Sequence, residues 1–113
     1  MAQPLNWYAM AEQIADIGTA DSRVFVVPAA GFLRRVEGVL GGAITTADDV
    51  VTVAVNGSNL SPTITITQVS SAAGDYDFAE YYVGVAQGDR ITVSNSGAST
   101  GPTKWAVNLV LSK

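Results

Sequence analysis

The sequence contains neither cysteine nor histidine, and these two absences remove several reaction classes at once. No thiolate nucleophile, serine–histidine pair, histidine-bound metal or cysteine-bound zinc can be assembled from this chain. A disulfide framework is excluded as well, so the stability of the fold must come from packing. Carboxylates are the one catalytic option that remains, and we expect no cofactor.

Charged residues are also scarce, at 14% of the chain, and the formal net charge is −4 with the six basic residues scattered. A net negative charge without a basic patch repels phosphate, so we expect no nucleic-acid partner. No stretch approaches the roughly 20 apolar residues of a membrane helix, and the N-terminus lacks the basic start and apolar run of a signal peptide. We therefore expect a protein without a membrane partner that is made and folded in a cytoplasm.

Hydrophobic residues, by contrast, make up 48% of the 113 residues, which is enough for one domain with one core. The clearest pattern is at the end of the chain, where apolar and polar residues alternate with a period of two. This alternation predicts a half-buried terminal strand whose inward face is formed by Trp105, Val107, Leu109 and Leu111.

Similar segments recur upstream between glycine, Asn-Gly and Gly-Asp turn signals. Residues 32–40 have apolar spacing that would also suit a helix, but Gly38 and the neighbouring strands favour a bulged strand. The Asn56-Gly57 pair favours a type I′ turn, in a loop that we expect to exceed two residues. The chain is therefore predicted to be all-β, an antiparallel β-sandwich or jelly roll of about seven to eight strands. The segments predicted as strands are residues 23–27, 32–40, 50–55, 63–67, 78–85, 90–94 and 105–111.

Residues 1–21 differ from the remainder, which we take as the sandwich domain of residues 22–113. Leu5, Tyr8, Glu12 and Ala15 have helical spacing, so this segment is predicted to be a short helix or an extended arm. Trp7 and Tyr8 are large aromatics on a terminal segment, and they need burial either against the sandwich or in a neighbouring chain. Leu5, Trp7 and Tyr8 are therefore candidate interface residues.

A second set of candidate interface residues is aromatic and lies within one predicted hairpin: Tyr76, Phe78, Tyr81 and Tyr82. Adjacent residues on a strand point to opposite faces, so one of Tyr81 and Tyr82 is expected at the surface. Core packing, a subunit contact or a sugar-binding platform would each account for these rings.

Acidic residues cluster at Asp75, Asp77 and Glu80. We assign these carboxylates to turn capping, because aspartate commonly accepts hydrogen bonds from its own loop backbone. The calcium-loop pattern is missing, and a glycosidase pair would be the only enzymatic use. We expect no catalytic or metal-binding residue.

Several short segments, each unspecific by itself, occur in an order that resembles small structural proteins of tailed bacteriophages. They are residues 24–28 (VFVVP), Gly31, 42–48 (GAITTAD), 51–57 (VTVAVNG), 73–75 (AGD) and 88–91 (GDRI). The resemblance covers about residues 22–113. It implies a virion component of capsid decoration or cement type, built on a sandwich or jelly roll and frequently trimeric.

The expected function is accordingly non-enzymatic: binding to the outer capsid shell as a homo-oligomer, with the major capsid protein or another virion protein as partner and the virion as location. The alternative is a fibre or tail-tip module that recognises a host surface glycan through the hairpin of Tyr76–Tyr82.

Overall fold

The computed structural model describes residues 7–101 and 103–113, and these residues form nine β-strands and no helix. None of them lies in a helix of the length and hydropathy that a membrane span requires. The strands are β1 (Trp7–Ile14), β2 (Ser22–Val26), β3 (Gly31–Leu40), β4 (Asp49–Val55), β5 (Ser58–Asn59), β6 (Ile64–Ile66), β7 (Tyr76–Val85), β8 (Arg90–Asn95) and β9 (Trp105–Ser112).

The strands make two sheets in which every pairing is antiparallel. Sheet A has the order β1-β9-β3-β7, and sheet B has the order β2-β8-β4-β5, with β6 also paired to β4. The inner faces of the two sheets supply one hydrophobic core. The predicted all-β antiparallel sandwich is therefore confirmed.

The N-terminal segment differs from the prediction. Residues 7–14 are neither a helix nor a free arm, because they form β1 and pair along their whole length with β9, from Trp7 opposite Ser112 to Ile14 opposite Trp105. Ile14 and Ile17 are fully buried. In residues 7–14, more buried and more exposed side chains also alternate with a period of two, as in a strand. In the extended form, this segment supplies hydrogen-bond partners to the outer edge of β9. The sandwich thus includes β1 and does not begin at residue 22.

Strand β9 lies at the centre of sheet A, between β1 and β3. Its predicted inward residues are all 2% exposed or less, which confirms the register read from the sequence. The Trp105 ring packs directly against β3 at Gly38, where a Cβ atom would overlap the indole. A glycine inside a strand is normally unfavourable, but here it makes room for the largest buried side chain of the core.

The turn after β4 is tighter than expected. Asn56 and Gly57 have φ angles of 50° and 88°, as a type I′ turn requires, and Val55 pairs directly with Ser58. The prediction of a loop longer than two residues is therefore wrong, because the chain first makes a two-residue hairpin from β4 into β5.

Asp49 is a buried carboxylate that joins three loops at one end of sheet B. It is fully buried, and its Oδ1 accepts hydrogen bonds from the Ser96 hydroxyl and from the Gly97 N–H at 2.9 Å. Its Oδ2 accepts from the Asn95 side-chain amide at 3.1 Å, and the same amide donates to the Ile17 carbonyl at 3.0 Å. Burial of a carboxylate is tolerated here because its oxygens are hydrogen-bonded.

Truncation of Trp105 to alanine should lower the free energy of unfolding by about 3–5 kcal/mol, since it removes a fully buried ring and leaves a cavity. The matched control is Asn108→Thr, on the opposite face of the same strand, which should change it by less than about 0.5 kcal/mol. Denaturant or thermal unfolding of both variants tests this register. Equal, small effects at the two positions would contradict it.

Asp49→Ala should lower the free energy of unfolding by about 2–4 kcal/mol, because the buried Asn95 amide and two partly buried donors lose their acceptor. Asp48→Ala is the neighbouring control: Asp48 is exposed and accepts one bond, from the Gln68 N–H at 2.8 Å, so its loss should cost about 0.5–1.5 kcal/mol. Urea unfolding curves compare the two, and the Asp49 assignment fails if both variants lose the same small amount.

Candidate binding surface

A β-bulge in β3 determines which side chains reach the outer face of sheet A. The register shifts between Leu33 and Arg35, and Arg34 is an extra residue relative to β9, whereas on the other side of β3 the additional residue belongs to β7. Leu33 and Val36 are fully buried in the core, and the two arginines between them both extend to the outer face. The bulged strand predicted for residues 32–40 is confirmed, and it brings two adjacent cations to one surface.

The first part of this surface is an aromatic–arginine row formed by Trp7, Phe32, Arg34 and Tyr82. The Arg34 Cζ lies 4.7 Å from the centroid of the Trp7 ring and 4.9 Å from that of Tyr82. The Tyr82 ring also stacks on Phe32, with centroids 4.6 Å apart. Trp7 belongs to β1 and Tyr82 to β7, so the row crosses the sheet from one edge strand to the other.

The second part lies further along β3 and β7. The Tyr76 and Phe78 rings are 5.5 Å apart, and the Arg35 Cζ lies 4.9 Å from the Phe78 centroid. The Arg35 guanidinium also forms ion pairs with Glu80 at 3.2 Å and with Glu37 at 3.8 Å. This arginine is therefore neutralised by neighbouring carboxylates.

Between the two parts is an open depression of about 380 Å³. Its lining residues are Trp7, Arg34, Arg35, Glu80, Tyr81 and Val110. The depression combines aromatic and aliphatic surface with a small number of charged groups, as binding sites commonly do.

The structure divides the predicted interface residues between two environments. Four of them share the outer face of sheet A and are exposed, namely Trp7 at 50%, Tyr76 at 46%, Phe78 at 47% and Tyr82 at 70%. Leu5 lies outside the described residues.

Tyr81 and Tyr8 are placed differently. Tyr81 is only 8% exposed, its hydroxyl donates to the Pro62 carbonyl at 2.6 Å, and burial raises the pKa of that hydroxyl. Tyr8 is half-buried and packs against the core, with its hydroxyl 3.4 Å from the Ala29 carbonyl. The expectation that Tyr81 and Tyr82 point to opposite faces is confirmed, and Tyr81 is a core residue rather than a surface one.

Phe32, Arg34 and Arg35 are part of the surface and were not among the sequence candidates. The sequence feature that could have indicated them is the pair of consecutive arginines inside a predicted bulged strand. Ordinary alternation would place them on opposite faces, so their common face could not be read without the bulge position.

The acidic residues near this surface have separate roles. Asp75 accepts a hydrogen bond from the Ala72 N–H at 2.9 Å, which confirms the turn-capping assignment for this residue. For Asp77 and Glu80 the assignment is wrong, because both lie within strand β7, where Glu80 pairs with Arg35. Burial, together with the nearby Asp75 charge, raises the pKa of the Asp77 carboxyl.

No protein-family model matches the sequence, and no curated protein matches it. Several solved structures are similar to this chain, and two of them match it over almost its whole length. One is the catalytic unit of a thermostable GH87 α-1,3-glucanase from Streptomyces thermodiastaticus, with 14% identity, a TM-score of 0.55, and 96% of this chain covered. The other is a family 35 carbohydrate-binding module from Clostridium thermocellum, with 17% identity, a TM-score of 0.53, 95% of this chain covered and 91% of the module covered.

This chain spans only 26% of the glucanase catalytic unit but nearly the full length of the carbohydrate-binding module. At such low identity the two likenesses support the sandwich fold and carry no residue assignment. The class defined by fold and surface together is a single antiparallel β-sandwich with an exposed aromatic–arginine face.

Asp77→Asn should stabilise the protein at neutral pH. Because the folded-state pKa of Asp77 is raised above its ordinary value of 3.8, the folded protein holds this proton more tightly than the unfolded chain does. The resulting stabilisation is fully present below the unfolded pKa and is lost as the pH rises through the folded pKa. The amide should therefore raise the melting temperature at pH 7 and have little effect at pH 3.

Glu80→Gln is the control for this pH dependence, since it removes an exposed carboxylate of the same strand that is paired with Arg35. Its melting temperature should not rise at pH 7. A loss of stability in Asp77→Asn at pH 7 that is absent at pH 3 would contradict this, because it would show that the ionised carboxylate stabilises the fold.

Proposed function

We propose that this protein is a non-enzymatic structural component of a tailed-phage virion, of capsid decoration or cement type, and that it binds the outer capsid shell with the outer face of sheet A. The observation that carries the proposal is the exposure of Trp7, Tyr76, Phe78 and Tyr82 on one face of a sheet. The resemblance of residues 22–113 to phage structural proteins supplies the class of partner.

The composition of this face supports a protein–protein contact. Large exposed apolar groups that are gathered on one surface indicate an interaction site, whereas single exposed ones need no explanation. Tryptophan, tyrosine and arginine are the residue types that most often dominate binding energy at protein interfaces. All three occur in the aromatic–arginine row, where they already contact one another.

We also propose that the protein assembles as a homo-oligomer, with the trimer favoured by the resemblance. A separate apolar surface supports contact between copies: Val24 and Val26 on the edge strand β2 are 53% and 56% exposed. They belong to sheet B, so a contact between copies there would leave the outer face of sheet A free for the shell.

Glycan recognition by a fibre or tail-tip module is the second candidate. It is favoured by the exposed Tyr76 and Phe78 rings, which lie side by side and offer flat apolar surface to a sugar ring. The likeness to a carbohydrate-binding module is consistent with this candidate through the fold alone.

Deletion of residues 1–15 would be a poor test of shell binding, because it removes β1 and the buried Ile14 along with Trp7. Point variants keep the fold. A double variant, Trp7→Ala with Tyr82→Ala, should bind purified empty capsids of the phage that encodes this protein at least about 30-fold more weakly than the wild type, as the loss of a binding hot spot implies.

Co-sedimentation with the capsids measures this loss, and Val69→Ala is the control, since Val69 is 72% exposed but lies in the loop after β6. The control should bind as the wild type does. Absence of capsid binding by the wild type, together with binding to a surface polysaccharide of the host, would favour the glycan module instead.

A further inference from the structure

We propose that the depression beside Arg34 is a carboxylate-binding site, which receives an aspartate or glutamate side chain from a segment of the partner protein. This inference rests on the proposed function, because it names the chemistry of the segment that the outer face of sheet A binds. Arg34 is the residue that would pair with the carboxylate.

Arg34 is held in place but is not neutralised. The rings of Trp7 and Tyr82 both lie within cation–π distance of its guanidinium. Among the described residues no carboxylate forms an ion pair with it and no acceptor takes its N–H groups. A guanidinium carries five donors in a planar fork, which remain available to a ligand.

Two other arginines, Arg35 beside the depression and Arg23 on β2 of sheet B, are satisfied. Arg35 pairs with Glu80 and Glu37 on the neighbouring side of the depression. Arg23, near the sheet edge, pairs with Asp21 at 2.8 Å and donates to the Gln13 carbonyl at 2.7 Å. Among the described residues, Arg34 thus differs from both in having no acidic partner.

The charge balance of the depression indicates an anionic occupant. Among the charged side chains that line the depression, Arg35 and Glu80 offset each other and Arg34 leaves one positive charge, in a chain whose formal charge is −4. Glu37, the second partner of Arg35, is not one of the lining residues. A single carboxylate fits this single cation, whereas a polyanion would be repelled by the rest of the molecule.

The walls favour a peptide segment as the source of that carboxylate. Trp7 and Val110 line the depression with aromatic and aliphatic surface that can cover the apolar residues on either side of an acidic one. Contact with these groups removes water from the ion pair and strengthens a bidentate hydrogen bond between guanidinium and carboxylate.

The test uses two blocked peptides, acetyl-Gly-Leu-Glu-Leu-Gly-amide and its glutamine counterpart, titrated into ¹⁵N-labelled protein. The protein has two tryptophans, of which Trp7 is half exposed and Trp105 fully buried, so the Trp7 indole resonance reports on the depression. The glutamate peptide should shift this resonance with an apparent Kd at least tenfold lower than that of the glutamine peptide.

Three variants test whether the preference for the glutamate peptide depends on Arg34. Arg34→Gln should abolish the preference for glutamate over glutamine, and Arg34→Lys should weaken it, because a lysine keeps the charge but loses the fork. Arg90→Gln is the control, since Arg90 is an exposed arginine of sheet B and its loss should leave the preference unchanged. Thermal melts confirm that each variant is folded.

The inference is overturned if both peptides shift the Trp7 resonance equally, or if Arg34→Gln keeps the glutamate preference. It is also overturned if glucuronic acid binds there and the glutamate peptide does not, because the carboxylate would then come from a sugar. If the wild-type protein does not bind capsids but still prefers the glutamate peptide, only the proposed function is rejected. Capsid binding that is unchanged in Arg34→Gln rejects only this inference.

Discussion

The packing of Trp105 against Gly38 is the contact on which the rest of the structure depends. It joins β9 to β3 in the middle of sheet A, and β9 in turn supplies the edge to which β1 pairs. In a chain without cysteine, side-chain packing of this kind has to replace the covalent links that many small domains use. The buried Asp49 serves a comparable purpose at one end of sheet B, where hydrogen bonds to a single carboxylate connect loops that are distant in sequence.

Core packing and the proposed binding use opposite faces of the same strands. In β7 the buried Tyr81 contributes to the core, while its neighbour Tyr82 is 70% exposed and contacts Arg34. Because side chains alternate along a strand, the outer face of sheet A can carry unusual aromatic and charged residues without disturbing the core behind it. The bulge at Arg34 relative to β9 increases the density of charged groups on that face, since it places two consecutive arginines there.

The two candidate functions compete for this one face, and fold likeness does not choose between them. A sandwich is a scaffold that many unrelated activities share, so function has to be argued from the residues at the surface. The Trp7, Arg34 and Tyr82 group has the composition of a protein interface with a positive centre. The Tyr76 and Phe78 pair, whose neighbouring arginine is already neutralised, is the part that would suit a sugar ring.

The sequence by itself determined the class of fold, the strand at the end of the chain and the opposite orientations of Tyr81 and Tyr82, because each of these follows from local alternation. It did not determine that residues 7–14 form a strand, since their spacing suits a helix as well and only pairing with β9 selects the extended form. Nor did it reveal the row of Trp7, Arg34 and Tyr82. These residues come from three strands, and the bulge that aligns them is set by how β3 pairs with its two neighbours. Contacts between distant segments are decided by tertiary packing, which a local pattern does not encode.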